Sequence, residues 1–137
     1  MEKDMQRKYL QMQLLKQQLN ALLEEKAFLD EKLSELMMSL DASKKLDRVK
    51  KSQTMWSPLG SGSFVQSEVK DTENIMISVG AGVLLKKKRI EAIEILKGRV
   101  EELRTINQNL VTEINRYNEQ INKIEYELQE AVQKENK

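Results

Sequence analysis

The 137-residue sequence contains neither cysteine nor histidine. Without these side chains the chain cannot form disulfides, bind zinc through thiolates or imidazoles, or use a Cys–His or Ser–His pair for nucleophilic catalysis. Aromatic residues are also scarce, with one tryptophan, three tyrosines and two phenylalanines. Such a composition fits long exposed helices with a narrow apolar seam better than a compact globule. We therefore expect a binding or structural protein and not an enzyme, with no cofactor and no metal site.

An excess of charge of one sign is missing as well. The chain has 23 basic and 22 acidic residues and a net charge of +1, which gives no reason to expect nucleic acid or an acidic membrane as a partner. The longest apolar stretch, residues 74–85, is broken by two glycines and is too short to span a bilayer. No secretory signal follows the first methionine, so we expect a cytoplasmic protein.

Proline and glycine divide the sequence into three segments. The only proline is Pro58, and four of the five glycines lie close by, at Gly60, Gly62, Gly80 and Gly82. The long segments on either side contain only one further breaker, a glycine at position 98. This pattern predicts an N-terminal helix within residues 1–53, a β segment within residues 54–87 and a C-terminal helix within residues 88–137.

Both outer segments have a seven-residue repeat. In the first, nine of twelve seam positions are apolar, and in the second, eleven of twelve. This spacing predicts two helices that pair as an antiparallel coiled coil within one chain. The implied register places Leu29 opposite Asn107, with Lys26 in the adjacent layer. These polar residues either fix the register or are tolerated because a two-helix seam is half exposed.

The middle segment predicts four short strands, at residues 55–59, 63–69, 75–79 and 83–87. The glycine pairs at 60/62 and 80/82 supply the positive φ angles of tight hairpin turns, and residues 71–74 form a polar turn between the hairpins. The predicted fold class is therefore α+β, with a long antiparallel two-helix coiled coil and two β-hairpins between the helices.

Four strands of this length cannot form a stable independent core, and their unpaired edges favour pairing with other chains. We therefore expect oligomerisation through the β segment. The apolar strand residues predicted to mediate assembly are Phe64, Val65, Val69, Ile75, Ile77 and Val79.

Three motifs in the middle segment resemble the α-class subunit of prefoldin: PLGSGSFV at residues 58–65, EVKDT at 68–72 and SVGAGV at 78–83. The resemblance covers about residues 56–100. It implies a hexamer of two α-class and four β-class subunits, with the hairpins forming a β-barrel body. It also implies an ATP-independent chaperone that delivers unfolded chains to a group II chaperonin. Trp56, Ser57 and the basic run at residues 86–89 depart from the usual family pattern.

The outer ends of the two predicted helices are rich in apolar and methionine side chains, some of them off the seam. Ordinary seam packing explains part of this pattern, but flexible apolar groups at helix ends also suit the binding of non-native chains. The predicted client-binding residues are Met1, Met5, Tyr9, Leu10, Met12, Ile124, Tyr126, Leu128 and Val132. The alternative interpretation is a structural coiled-coil adaptor or tether that assembles through its β segment.

Overall fold

The computed structural model describes residues 2–50 and 53–136. Helix α1 spans Glu2–Lys45 and is followed by a short 3-10 turn at Leu46–Arg48. Four strands come next, β1 (Thr54–Gly60), β2 (Ser63–Glu68), β3 (Asn74–Gly80) and β4 (Val83–Lys88), and helix α2 spans Arg89–Glu135. The predicted fold class, two long helices with two β-hairpins between them, is confirmed. Over the described residues, neither helix has an apolar stretch of the length needed to cross a membrane.

The chain divides into two compact units, of which the first comprises Met1–Leu33 and Leu103–Lys137. Here α1 and α2 pack antiparallel, because Met12 of α1 contacts Ile121 and Ile124 near the end of α2. Two ion pairs cross between the helices, with 3.2 Å from Lys8 Nζ to Glu127 Oε2 and 3.3 Å from Lys16 Nζ to Glu125 Oε1. A narrow apolar seam thus holds the helices together, and charged side chains flank it.

One polar layer interrupts the seam of this unit. Asn107 Nδ2 donates a hydrogen bond of 2.9 Å to Asp30 Oδ1, and Lys26 Nζ lies 2.8 Å from Asp30 Oδ2. The bonds from Lys26 and from Asn107 hold the pKa of Asp30 below its usual value. Asn107 therefore contacts the neighbour of Leu29, one residue from the predicted register. A directed bond between the helices favours the interpretation that the polar residues specify register.

The second unit, Ser34–Glu102, contains both hairpins. The first hairpin pairs β1 with β2, and the second hairpin pairs β3 with β4, both antiparallel. The core of the unit is built from Ile77 of β3 with Ala92 and Leu96 of α2. The second hairpin thus packs on the helices of its own chain. Four partly buried residues surround this core: Leu36, Leu40, Ile75 and Ile95.

Each hairpin turns through two residues that both have positive φ, which is the type I′ geometry that matches the twist of paired strands. These residues are Ser61 and Gly62 in the first hairpin, with φ of 49° and 79°, and Ala81 and Gly82 in the second, with φ of 52° and 72°. Each turn is preceded by a glycine with φ above 100°, at Gly60 and Gly80. Only glycine adopts that value without strain, so the four turn glycines have the conformational role that the sequence predicts.

A polar turn connects the two hairpins. The Asp71 carboxylate accepts hydrogen bonds from the backbone N–H of Glu73 (2.9 Å), the backbone N–H of Asn74 (3.2 Å) and the Asn74 side chain (2.8 Å). The bond from the Asn74 side chain, followed by that from the Glu73 backbone, holds the pKa of Asp71 below its usual value. The ionised carboxylate therefore organises the connection, as an aspartate commonly does in such turns.

Candidate functional site

A groove of about 490 Å³ opens between the outer ends of the helices in the first unit. Five of the residues that line it are apolar or aromatic: Met5, Tyr9, Met12, Leu128 and Val132. The amide side chains of Gln129 and Gln133 complete the lining. We call this site the tip groove. Its volume lies within the range typical of ligand pockets.

The heptad pattern explains how the tip groove forms. Met5, Met12 and Leu128 occupy seam positions, whereas Tyr9 and Val132 lie beside the seam. Met12 is only 8% exposed and forms the floor, while the side chains of Tyr9 and Val132 are 52% and 47% exposed. A two-helix seam has no third element to cover its flank, so the apolar flanking residues remain accessible to water. The tip groove is therefore an apolar surface with a packed floor and an open rim.

A second depression, of about 420 Å³, lies at the same helix ends, and most of the residues that line it are charged. Its lining includes Lys8, Glu127, Glu130, Lys134 and Glu135. We call it the charged depression. Lys8 and Glu127 form an ion pair there that joins the two helices. The helix ends thus present one face without formal charge and one face rich in charge.

The structure brings together five of the nine predicted client-binding residues, namely those in the tip groove. Ile124 is instead 7% exposed and packs in the seam against Met12. Leu10 is exposed but does not line the groove. The Tyr126 hydroxyl hydrogen bonds to the Glu130 side chain, and this bond raises the pKa of the tyrosine above its usual value. Met1 lies outside the described residues.

Gln129 and Gln133 were not among the predicted site residues, all of which are apolar or aromatic. The signal was present in the sequence. These residues flank Val132 and are four positions apart, so they lie on one face of α2. Residues four positions apart that share a helix face with an apolar groove residue are candidates for the lining of the groove.

The predicted assembly residues fall into two groups. Phe64, Val65 and Val79 are 58%, 45% and 46% exposed. They lie on the hairpins together with seven further exposed apolar residues: Met55, Trp56, Leu59, Met76, Val83, Leu84 and Leu85. The hairpins are separate two-stranded sheets, and each presents exposed apolar residues. This is a surface suited to contact with other subunits.

The other three predicted assembly residues are placed differently. Ile77 is 5% exposed and, with Ile75, packs against the helices of its own chain. Val69 lies just beyond the end of β2 and donates a backbone hydrogen bond of 3.3 Å to the carbonyl of Gln53. Ile75 and Ile77 alternate along β3 and so share one face of the strand, which residues of both helices cover at these two positions. Ile75 and Ile77 therefore stabilise the chain itself.

Comparison with protein families and curated sequences gives a consistent result. A family model described as "Prefoldin subunit" matches residues 15–134. The prefoldin subunit alpha of Methanococcus vannielii is 31% identical over 129 residues, covering 94% of this chain and 86% of that protein. The prefoldin subunit alpha of Archaeoglobus fulgidus is 25% identical over 134 residues, covering 98% of each chain.

Solved structures show the same fold. A chain of the filamentous PFD from Methanocaldococcus jannaschii, determined by cryo-electron microscopy, matches with a TM-score of 0.72 at 23% identity, covering 85% of this chain and 96% of that one. The prefoldin beta subunit from a Thermococcus strain matches with a TM-score of 0.64 at 17% identity, covering 93% of this chain and 91% of that one.

Proposed function

Because this chain belongs to the prefoldin family of chaperone subunits, we propose that it is an ATP-independent chaperone subunit that binds unfolded proteins at its paired helix ends. The tip groove is the observation that carries this proposal. It offers the exposed side chains of Tyr9 and Val132 and the half-buried side chain of Met5 on a packed floor. Unbranched, flexible methionines adapt to clients of different shape, which is what binding without a fixed sequence requires.

The hairpins are the proposed assembly surface. The family relationship leads us to propose a hetero-hexamer with two copies of this chain and four β-class subunits. The exposed strand residues Phe64, Val65 and Val79 support this role, because each hairpin alone leaves edges and apolar faces that another subunit could cover. We propose that the complex then passes its client to a group II chaperonin.

Protection of an unfolded client tests the tip groove directly. We expect the assembled complex to suppress aggregation of several unrelated, guanidine-unfolded enzymes after dilution. Tyr9→Gln with Val132→Gln should weaken this protection strongly. Each lost apolar contact reduces binding by about 1.5 kcal/mol, or roughly tenfold, and cooperation between subunits amplifies the loss.

The matched control changes two equally exposed apolar residues of the same unit that lie outside the tip groove. Leu14 and Phe28 are 59% and 60% exposed, so Leu14→Gln with Phe28→Gln removes similar apolar surface. This variant should protect clients almost as well as the unmodified chain. Equal losses in the two variants would show that the client surface is not the tip groove. Protection of only one client would favour the adaptor interpretation.

Assembly is tested by the mass of the complex formed with a β-class subunit, measured by light scattering after gel filtration. Phe64→Gln with Val65→Gln should reduce this mass and leave the helical circular dichroism signal unchanged. Both residues lie on β2, where no side chain is buried within the chain. A complex of full mass would exclude the first hairpin from the assembly surface.

A further inference from the structure

The tip groove contains two amide side chains and no formally charged group, in a chain of which 33% is charged. Gln129 and Gln133 are both exposed. Each amide carries a hydrogen-bond donor and an acceptor. An apolar surface that only buried client side chains would need neither, so the two amides are available to polar groups of an occupant of the groove.

The spacing of the two amides matches an extended polypeptide. Residues four apart on a helix have Cβ atoms about 5–6 Å apart. Along a β-strand, residues i and i+2 are about 6.6 Å apart and point their backbone N–H and C=O groups to the same side. A helical segment offers no comparable row, because its interior backbone groups already bond to one another.

On the basis of the client-binding function proposed above, we propose that the tip groove selects extended, uncharged segments of non-native chains. One apolar side chain of the segment sits against Tyr9 and Val132, above the Met12 floor. Gln129 and Gln133 hydrogen bond to backbone groups that are unpaired only because the client is not folded. The site thus recognises the unfolded state through its free backbone and not through hydrophobicity alone.

Charge on the client is disfavoured in this groove. A charged side chain next to the bound segment would lose water against an apolar lining that offers no opposite charge. The charged depression, by contrast, is lined by Lys8, Glu127 and Lys134, so opposite charges for such a side chain lie there and not in the tip groove. We therefore expect the segments that bind to contain an apolar residue among uncharged neighbours.

The protein variants separate backbone recognition from plain hydrophobic binding. Gln129→Met with Gln133→Met keeps side-chain length, makes the groove more apolar and removes both amides. Our proposal predicts that a fluorescein-labelled 12-residue peptide of Leu, Ser and Asn binds this variant of the assembled complex about three- to tenfold more weakly in fluorescence anisotropy. Hydrophobic binding alone predicts equal or tighter binding. The control, Glu130→Gln with Lys134→Gln in the charged depression, should bind within about twofold of the unmodified chain.

Changes to the peptide also distinguish backbone recognition from hydrophobic binding. Methylating alternate backbone nitrogens of the peptide removes donors without changing its side chains, and it should weaken binding to the unmodified chain but not to the double-methionine variant. Placing Glu and Lys beside the leucines should also weaken binding. If the double-methionine variant binds as tightly as the unmodified chain while Tyr9→Gln with Val132→Gln binds weakly, the groove binds clients but does not recognise their backbone. If neither pair of changes weakens binding, both the backbone recognition and the proposed client-binding function of the groove are wrong.

Discussion

The two hairpins have nearly the same backbone and opposite surroundings. Their turns have the same geometry, and both registers shift at the position just before the turn, between Pro58 and Gly60 and between Ser78 and Gly80. Yet in β1 and β2 every residue is exposed or half-buried, whereas β3 contributes Ile77 to the core of the unit. The backbone conformation therefore does not decide which hairpin packs against the helices.

Side chains at equivalent positions explain the difference. Aligning the two turns pairs Ser57 with Ile77, since each lies three residues before the first turn glycine. In the second hairpin Ile77 packs against Ala92, which is fully buried. In the first hairpin the Ser57 and Ser67 hydroxyls lie 2.6 Å apart and hydrogen bond to each other. A serine pair satisfied within its own sheet gives little gain on burial, whereas a buried isoleucine contributes about 1.5–3 kcal/mol.

This comparison assigns different roles to the two hairpins. The second hairpin is part of the core of its own chain and holds α2 in place. The first hairpin keeps Trp56, Leu59 and Phe64 exposed, at 66%, 70% and 58%. Each hairpin has exposed apolar residues, and the two most exposed ones, Trp56 and Leu59, lie on the first. We therefore expect assembly contacts on both hairpins, with the larger share on the first.

The largest effect is expected from making the second hairpin resemble the first. Ile77→Ser should lower the free energy of unfolding of the full-length chain by about 2–4 kcal/mol, because it removes buried apolar atoms and leaves a hydroxyl beside Ala92. Urea unfolding followed by circular dichroism measures this. Ser57→Ile, the reciprocal change, removes only the hydrogen bond to Ser67 at a half-buried site outside the core, so it should lower the free energy of unfolding by no more than about 1 kcal/mol. Similar losses in both variants would show that the hairpins contribute equally to the core.

A polar contact also distinguishes the second hairpin. Arg99 of α2 donates a side-chain hydrogen bond to the backbone carbonyl of Ser78 in β3. We expect Arg99→Met, which keeps the apolar stem but not the donor, to reduce stability by about 1 kcal/mol. Hydrogen exchange should then accelerate in residues 74–88 and remain unchanged in residues 54–68. Equal acceleration in both hairpins would mean that Arg99 supports the unit as a whole and not the second hairpin in particular.

Much of this fold was predictable from the sequence, because its main features depend on periodicity and on turn residues. The heptads at residues 5–43 and 93–131 predict the paired helices, and the glycine motifs predict both hairpins and the family. The packing of Ile77 on Ala92 was not predictable, because alternation identifies an apolar face of a strand but not what covers it. The place of Gln129 and Gln133 in the tip groove was only partly predictable, because their spacing puts them on one face of α2 but does not say which helix flank stays open.

A smaller and pH-dependent effect is expected at the connection between the hairpins. The hydrogen bonds to Asp71 lower its pKa in the folded state, so ionised Asp71 stabilises the turn above the pKa of the unfolded state. This contribution is lost as the pH falls through the lower pKa of the folded state. We expect the turn to be lost in acid, which NMR would detect at the Glu73 and Asn74 amides. Asp71→Asn should show no such pH dependence, because it should resemble the acid form at every pH. A variant that retained the full pH dependence would assign the effect to another carboxylate.

The smallest effect concerns the first residue of each turn. Ser61 and Ala81 both have positive φ, a region that asparagine tolerates better than alanine and that type I′ turns favour. Ala81→Asn should therefore relieve strain and raise the free energy of unfolding by about 0.5 kcal/mol. Ser61→Asn should relieve a similar local strain, but we expect a smaller shift in the urea midpoint, because the first hairpin can open without disrupting the Ile77 core. Local opening of one hairpin and cooperative unfolding of the other would produce that difference. Equal midpoint shifts would instead show that both hairpins unfold together with the helices.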